Sequence, residues 1–446
     1  MRNSKSVRTI AVSGAALLAL AACGGGDEGG TSAEGGGSEE KQINVYGTDG
    51  NVGDPLGEQF QDEGALEGMK GTTPLTDLSQ EFRDRLLEVD PSLGNTFNYA
   101  GESYDAVVIT ALASAMAQSN QATAFAPYVN GVTFGGDKCE DFASCLEIIS
   151  GGGNPDYDGV TGPLAFADPG EPAVASFGTL QFGPDNKLDP ELTEYLVVGD
   201  EANAATDEGP AAAAFGSGDG TGPLKFGTLL PLTGTLAFLG PPEVAGVQLA
   251  INEINEGGGL LGAPVEVVSG DSGDTSTNIA TQTVASHQAA GVNAIIGAAS
   301  SDVTKTVIDS VTQAGILMFS PANTSDSFTT YADNGLYFRT APPDLFQGQV
   351  LADLITQEGN QSVGILAQNG EYGTGLAERI VENLKSAGLA EDQVKSVYYD
   401  PQASDFSDVV QQMVDFNPDG IVVVGFDESA KIIAGLNEQG VGPARK

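Results

Sequence analysis

Between residues 223 and 446 the apolar positions follow two alternating rhythms. Short, mostly apolar segments at 224–230, 265–268, 294–296 and 317–319 read as strands, the one at 294–296 as buried. The stretches between them, at 243–256, 277–290 and 302–314, have helical spacing. In 243–256 the stripe is Val244, Val247, Leu249, Ala250 and Ile254, one face of an amphipathic helix. Past Arg339 the rhythm starts again, with helices at 344–357, 373–387, 405–415 and 428–439 between strands at 362–366, 394–399 and 420–424. Strands joined through helices of this length pair in parallel. The pattern therefore predicts an α/β fold with parallel sheets covered on both faces, one lobe ending near 340 and a second starting there.

Residues 42–200 read differently. A strand at 43–46 has no helix before it, helices are expected at 78–89 and 104–117, and strands at 165–166 and 178–182 have hairpin character. Two stretches lack apolar periodicity. Residues 24–41, rich in Gly, Ser, Thr, Ala, Asp and Glu, read as a flexible tether. Residues 201–222, with four alanines at 211–214 and Gly-Ser-Gly-Asp-Gly at 216–220, read as a linker.

The first 23 residues form a targeting segment. Arg2, Lys5 and Arg8 precede a short apolar run at 10–22, which falls short of the ~20 residues a membrane-spanning helix needs. The run closes on Leu20-Ala21-Ala22-Cys23 and resembles a bacterial lipoprotein signal. That resemblance makes Cys23 the lipidation site and places the body outside the cell membrane. Acidic residues number 61 against 18 basic ones, a net charge of -43. Such a surface repels nucleic acid and anionic lipid, so the lipid anchor is the one expected membrane contact. In an oxidising compartment the remaining cysteines, Cys139 and Cys145, are expected to form a disulfide. No histidine lies nearby to complete a zinc site, and no metal is expected.

Catalytic motifs find no support. Gly257-x-Gly259-x-x-Gly262 follows a helix and precedes a strand, the reverse of the dinucleotide fingerprint. Gly270-Asp-Ser-Gly273 is similar to a protease nucleophile loop. Its chemistry needs a histidine base, and the only histidine, His287, is expected on a helix at or near the surface. No catalytic residue and no cofactor is assigned. What remains are polar loops after strands, where open α/β sheets bind ligands. They are 297–301 with Ser300 and Ser301, 320–325 with Ala322 and Thr324, the turn with Tyr372, the Phe426-Asp427 pair, and Asp49 after strand 43–46.

The stretch Gly227-Thr-Leu-Leu-Pro-Leu-Thr-Gly234, then Gly246-Val-Gln-Leu-Ala-Ile-Asn-Glu-Ile-Asn255, Ile295-Ile-Gly297, Ser320-Pro-Ala322 and Tyr337-Phe-Arg-Thr340, resembles the front half of type I periplasmic binding proteins of the leucine/isoleucine/valine-binding family. Tyr46-Gly-Thr-Asp-Gly50, Gly68-Met-Lys-Gly71, Tyr104-Asp-Ala-Val107 and Tyr157-Asp-Gly-Val-Thr-Gly162 resemble its rear half. The rear half comes first here, so the resemblance implies a circular permutation. Its units are a signal at 1–23, a tether at 24–41, the rear half at 42–200, a linker at 201–222, the front half of the first lobe at 223–340 and the second lobe at 341–446. The implied fold is two interleaved Rossmann-like lobes joined by a hinge: 223–340 with 75–165, and 341–446 with 42–74 and 166–200. By the same resemblance, Ser300, Ser301, Ala322 and Thr324 meet a ligand's carboxylate and amine. Tyr372, Phe426 and Asp49 close from the other lobe, and Phe238 flanks the side-chain pocket. Phe426 stands where members of that family often carry tyrosine. The implied function is a lipid-anchored binding protein that hands a small ligand to the transmembrane subunits of an ABC permease. The ligand is a branched-chain amino acid first, with other amino acids, short amides and urea as alternatives. The competing function is a sensor that signals to a receptor.

Overall fold

In strand Gly420–Val424, Ile421, Val422, Val423 and Val424 are all fully buried, and each contributes about 1.5–3 kcal/mol of burial free energy. A computed structural model describes residues 42–217 and 222–444. The signal, the tether, Cys23 and Lys446 lie outside them. Gly420–Val424 sits inside a seven-stranded sheet in the order Val394–Tyr399, Val363–Gln368, Gly420–Val424, Asn44–Gly47, Lys70–Pro74, Val174–Gln181, Glu194–Gly199. The first five strands pair in parallel, and the last two pairings, through Val174–Gln181, are antiparallel. Asn44, Val45 and Tyr46 register with Gly420, Ile421 and Val422, so the strand with no helix before it is completed by the far end of the chain.

The second sheet has five parallel strands in the order Glu266–Val268, Lys225–Leu229, Ala294–Gly297, Leu317–Ser320, Tyr337–Arg339. Helices Ala100–Ala117 and Gly240–Glu256 pack against each other over one face. The first is buried along almost its whole length, its buried polar residues Glu102 and Asp105 included. Helices Ile279–Ala290 and Ser301–Gln313 cover the other face. No helix among the described residues is long and apolar enough to cross a membrane.

The chain passes between the lobes three times, after Arg339, after Pro74 and before Val174. Asp105 secures one passage. Its carboxylate accepts hydrogen bonds from Tyr157 Oη at 2.6 Å, Val160 N at 3.1 Å, Thr161 N at 3.0 Å and Thr161 Oγ1 at 2.5 Å. Burial still pushes this acid up to about 6. The Tyr104-Asp105 and Tyr157–Thr161 motifs are thus two halves of one contact. Cys139 and Cys145 form a disulfide with Cα atoms 5.3 Å apart.

Two expectations change. His287 is fully buried, because helix Ile279–Ala290 lies on the strand carrying Gly227 and Nε2 sits 2.8 Å from the Thr228 carbonyl oxygen. A side chain at 227 would lie 2.7 Å from the imidazole, so the glycine makes the room. The described part of the 201–222 segment follows the first lobe. Ala205 N donates to Phe166 O, Ala213 N to Met116 O, and Tyr128 Oη to Ala211 O.

Two acids are buried near one another where helices Ala100–Ala117 and Gly240–Glu256 pack. Burial pushes Glu102 up to about 8, and burial, then the neighbouring Glu102, holds Glu243 well above the usual carboxylate range. The folded protein therefore keeps a proton on Glu102 that the unfolded chain releases above about 4.5. Its contribution is present below that pH and is lost as pH rises toward 8. Glu102→Gln is expected to raise the thermal midpoint at pH 8 and leave it nearly unchanged at pH 4. Equal shifts at both pH values in thermal unfolding would contradict this.

Candidate functional site

Each sheet has a point where neighbouring strands send their connections to opposite faces, and a crevice opens there at the carboxyl ends. In the five-stranded sheet it lies between Lys225–Leu229 and Ala294–Gly297. The loops leaving these strands carry Leu236, Leu239, Ala299, Ser300 and Ser301. In the seven-stranded sheet it lies between Val363–Gln368 and Gly420–Val424, which deliver Tyr372 and Phe426, and the next strand delivers Asp49. These residues, with Gly50, Tyr99, Ala322 and Thr324, line one cavity between the lobes. Seven of the eight expected ligand residues therefore converge. Phe238 lines an adjoining cavity, which shares Gly50 and Phe426 with the first.

The two lobes meet closely around this cavity, which has about 280 Å³ of free space. Contacts across its rim hold it in this form. Asp302 Oδ1 accepts from Glu371 N at 2.7 Å, placing a carboxylate from one lobe at the start of helix Glu371–Ser386 in the other. Lys305 Nζ lies 3.4 Å from Glu371 Oε2, and Arg379 Nε lies 2.5 Å from Asp326 Oδ2.

At one pole stands Asp49. Tyr99 Oη donates to its Oδ2 at 2.9 Å and Tyr372 Oη to its Oδ1 at 2.7 Å, one tyrosine from each side of the cleft. Burial raises the Asp49 carboxyl despite these hydroxyls, and burial followed by the Asp49 charge drives both phenols well above their usual range. Asp344, fully buried at the start of helix Asp344–Gln357, is also pushed well up, by burial and then by Asp49. The site is thus acidic, with no basic side chain among the described residues that line it.

At the other pole are hydroxyls. Ser300 caps helix Ser301–Gln313, accepting from Val303 N at 3.4 Å, and Ser301 Oγ accepts from Ser325 N at 3.4 Å. The buried Thr324 hydroxyl makes no well-directed hydrogen bond within the protein. Arg339, fully buried, braces this loop. Its Nη1 donates to Ser325 O at 2.8 Å and Asn323 O at 3.2 Å, and its Nε to Glu171 Oε2 at 3.0 Å. Tyr99 and the Arg339–Glu171 brace were not among the expected residues. Tyr99 precedes a helix that belongs to the opposite lobe from Asp49, and it reaches the cleft through a left-handed backbone at φ 58°. Nothing in the local pattern marks it.

Two α/β lobes, three connections and one closed cleft between strand ends define a two-lobed binding protein. A family model described as periplasmic binding protein matches residues 223–445. The chain belongs to this family, one of ligand-binding proteins rather than enzymes. It is 28% identical over 194 residues to a Leu/Ile/Val-binding protein homolog of Brucella melitensis, covering 43% of this chain and 51% of that protein. It is 29% identical over 168 residues to the leucine-, isoleucine-, valine-, threonine- and alanine-binding protein of Pseudomonas aeruginosa, covering 37% and 44%. A solved branched-chain amino acid transporter substrate binding protein of Streptococcus pneumoniae, in complex with isoleucine, shares 28% identity at a TM-score of 0.43, covering 49% of this chain and 62% of that one. The chain spans about half the length of the curated relatives it matches.

Gly50 holds the site's walls together. A Cβ there would lie 2.6 Å from Gly425 O and 2.8 Å from Phe426 Cδ1. Gly50→Ala is therefore expected to destabilise the protein by about 1–3 kcal/mol, read as a lower denaturant midpoint. An unchanged midpoint would mean that the Gly425 backbone and the Phe426 ring both yield freely.

Proposed function

We propose that the protein is an extracytoplasmic solute-binding protein that takes an apolar α-amino acid, branched-chain first, and delivers it to the transmembrane subunits of an ABC permease. The carrying observation is the arrangement of the two poles. A buried, tyrosine-held carboxylate without a counter-cation suits an ammonium group. The hydroxyls and helix start at Ser300, Ser301 and Thr324 suit a carboxylate. Leu236, Leu239, Ala299 and Phe426 leave an apolar place for a side chain between them. The names of the relatives from Brucella and Pseudomonas point to the same ligands. Lobe opening about the three connections admits the ligand, and closure buries it. Lipidation at Cys23 and the tether at 24–41 complete this reading, holding the body at the membrane surface.

The reading includes a circular permutation. Counted from Lys225–Leu229, the five-stranded sheet has the order 2-1-3-4-5. The parallel part of the larger sheet has that same order when counted from Val363–Gln368, provided Asn44–Gly47 and Lys70–Pro74 count as fourth and fifth, after Gly420–Val424. Residues 42–200 are then the rear half of one protein, with 223–340 and 341–446 as its front, and 201–222 is the splice.

Isoleucine, leucine or valine is expected to raise the thermal midpoint, by the equivalent of about 2.7 kcal/mol at 100 times Kd. Asp49→Ala should abolish this for isoleucine while sparing any effect of an uncharged amide. No response to any of the three amino acids in the wild-type chain would remove the proposal. A rearranged chain running 223–446 and then 42–200 should fold and show the same ligand response, and an unfolded product would tell against the permutation.

A further inference from the structure

The cleft does not end at the ligand cavity. Beyond Phe426 lies the adjoining cavity, a narrow crevice, and Gly50 and Phe426 are common to both. The ring is fixed in place between them. It stacks on Tyr372 with centroids 5.3 Å apart and planes at 13°, and it sits so close to Gly50 that a Cβ there would touch it. The outer cavity has apolar walls from Pro55, Leu56 and Phe238 and a polar end formed by Gln59 and Asp427. Asp427 is exposed, and its Oδ1 accepts from the neutral amide of Gln59 at 2.5 Å.

We propose that Phe426 is a partition that confines the ligand to short side chains, and that the compartment behind it is a latent subsite for an extended side chain with a cationic tip. This rests on the cleft being an amino-acid site. The inner cavity supplies the poles for the α-amino and α-carboxylate groups, so the side chain is the part of the ligand that meets the ring. A branched four-carbon side chain stops there. An unbranched chain needs the space the ring occupies. With the ring removed, its stem lies along Pro55, Leu56 and Phe238, and its terminal ammonium reaches Asp427, where Gln59 is a weaker competitor for the carboxylate.

Three ligands separate the contributions: isoleucine, norleucine (long and uncharged) and lysine (the same length with an ammonium tip). Binding to the full chain is measured by calorimetry, with thermal midpoints to verify folding. The wild type is expected to favour isoleucine. Phe426→Ala should shift the isoleucine-to-norleucine and isoleucine-to-lysine affinity ratios by about tenfold or more toward the long ligands. Phe426→Leu, the gentler change, should shift them in the same direction by less and serves if the alanine variant unfolds. Combining Phe426→Ala with Asp427→Asn should keep the norleucine gain and lose the lysine gain. Wild-type ratios in both Phe426 variants, with isoleucine still bound, would overturn the partition. A lysine gain that survives Asp427→Asn would overturn the cationic subsite. A wild-type chain that binds none of the three would overturn the amino-acid reading itself, and the subsite with it.

Discussion

The pairing of Asn44–Gly47 with Gly420–Val424 ties together residues almost 400 positions apart, and the cleft depends on it. Side by side and in register, these strands put their following loops next to each other. That is why Gly50 rests against the Gly425 carbonyl oxygen and why Asp49 and Phe426 share one cavity wall. A slip of one residue would turn Val45 and the strand's other core-facing side chains to the opposite face of the sheet. It would also withdraw the Asp49 carboxylate from Tyr372. The buried valines and isoleucine of the central strand therefore shape the cleft, although none of them lines it.

The cleft is electrostatically one-sided. Asp49 and Asp344 are buried near one another, and the one fully buried arginine described here, Arg339, is committed to Glu171 and to the 320–325 loop. Burial is the largest influence on both acids, and the neighbouring Asp49 charge repels a charge on Asp344 as well. Such a cavity favours an arriving cation by relieving a cost already present in the folded chain. The tyrosines moderate that cost by donating to Asp49 and also seal the space around it.

Much of this was legible in the sequence, for a physical reason. From 223 onward apolar strand segments alternate with amphipathic helices at regular intervals, and strands such as 394–399 and 420–424 fall where that alternation sets them. Residues 42–200 were read less well. Lys70–Pro74 is Lys-Gly-Thr-Thr-Pro, with no apolar run to announce a strand, and it is held by neighbours supplied from 44–47 and 174–181. Glu194–Gly199 is an exposed edge strand and Asp137–Cys139 a three-residue one. The loops at strand ends that converge on the cleft have a local signature. Tyr99 and the Arg339–Glu171 pair were missed because their roles come only from long-range packing. His287 was placed too near the surface because the space that hides it is made by a glycine on another element.

The three passages between the lobes are themselves tied together. Arg339 N donates to Gly170 O, Leu75 N to Ser176 O, and Thr76 Oγ1 to Thr161 O. A single chain crossing would leave one lobe able to spin and slide against the other. Three crossings laced side by side behave as a flat strap, stiff against torsion and shear and compliant mainly to bending about one axis. The relative motion of the lobes is thereby reduced to nearly one degree of freedom. A strap of this kind holds Tyr372 and Asp49 in one alignment with Tyr99 and Ser300, with no search over orientations.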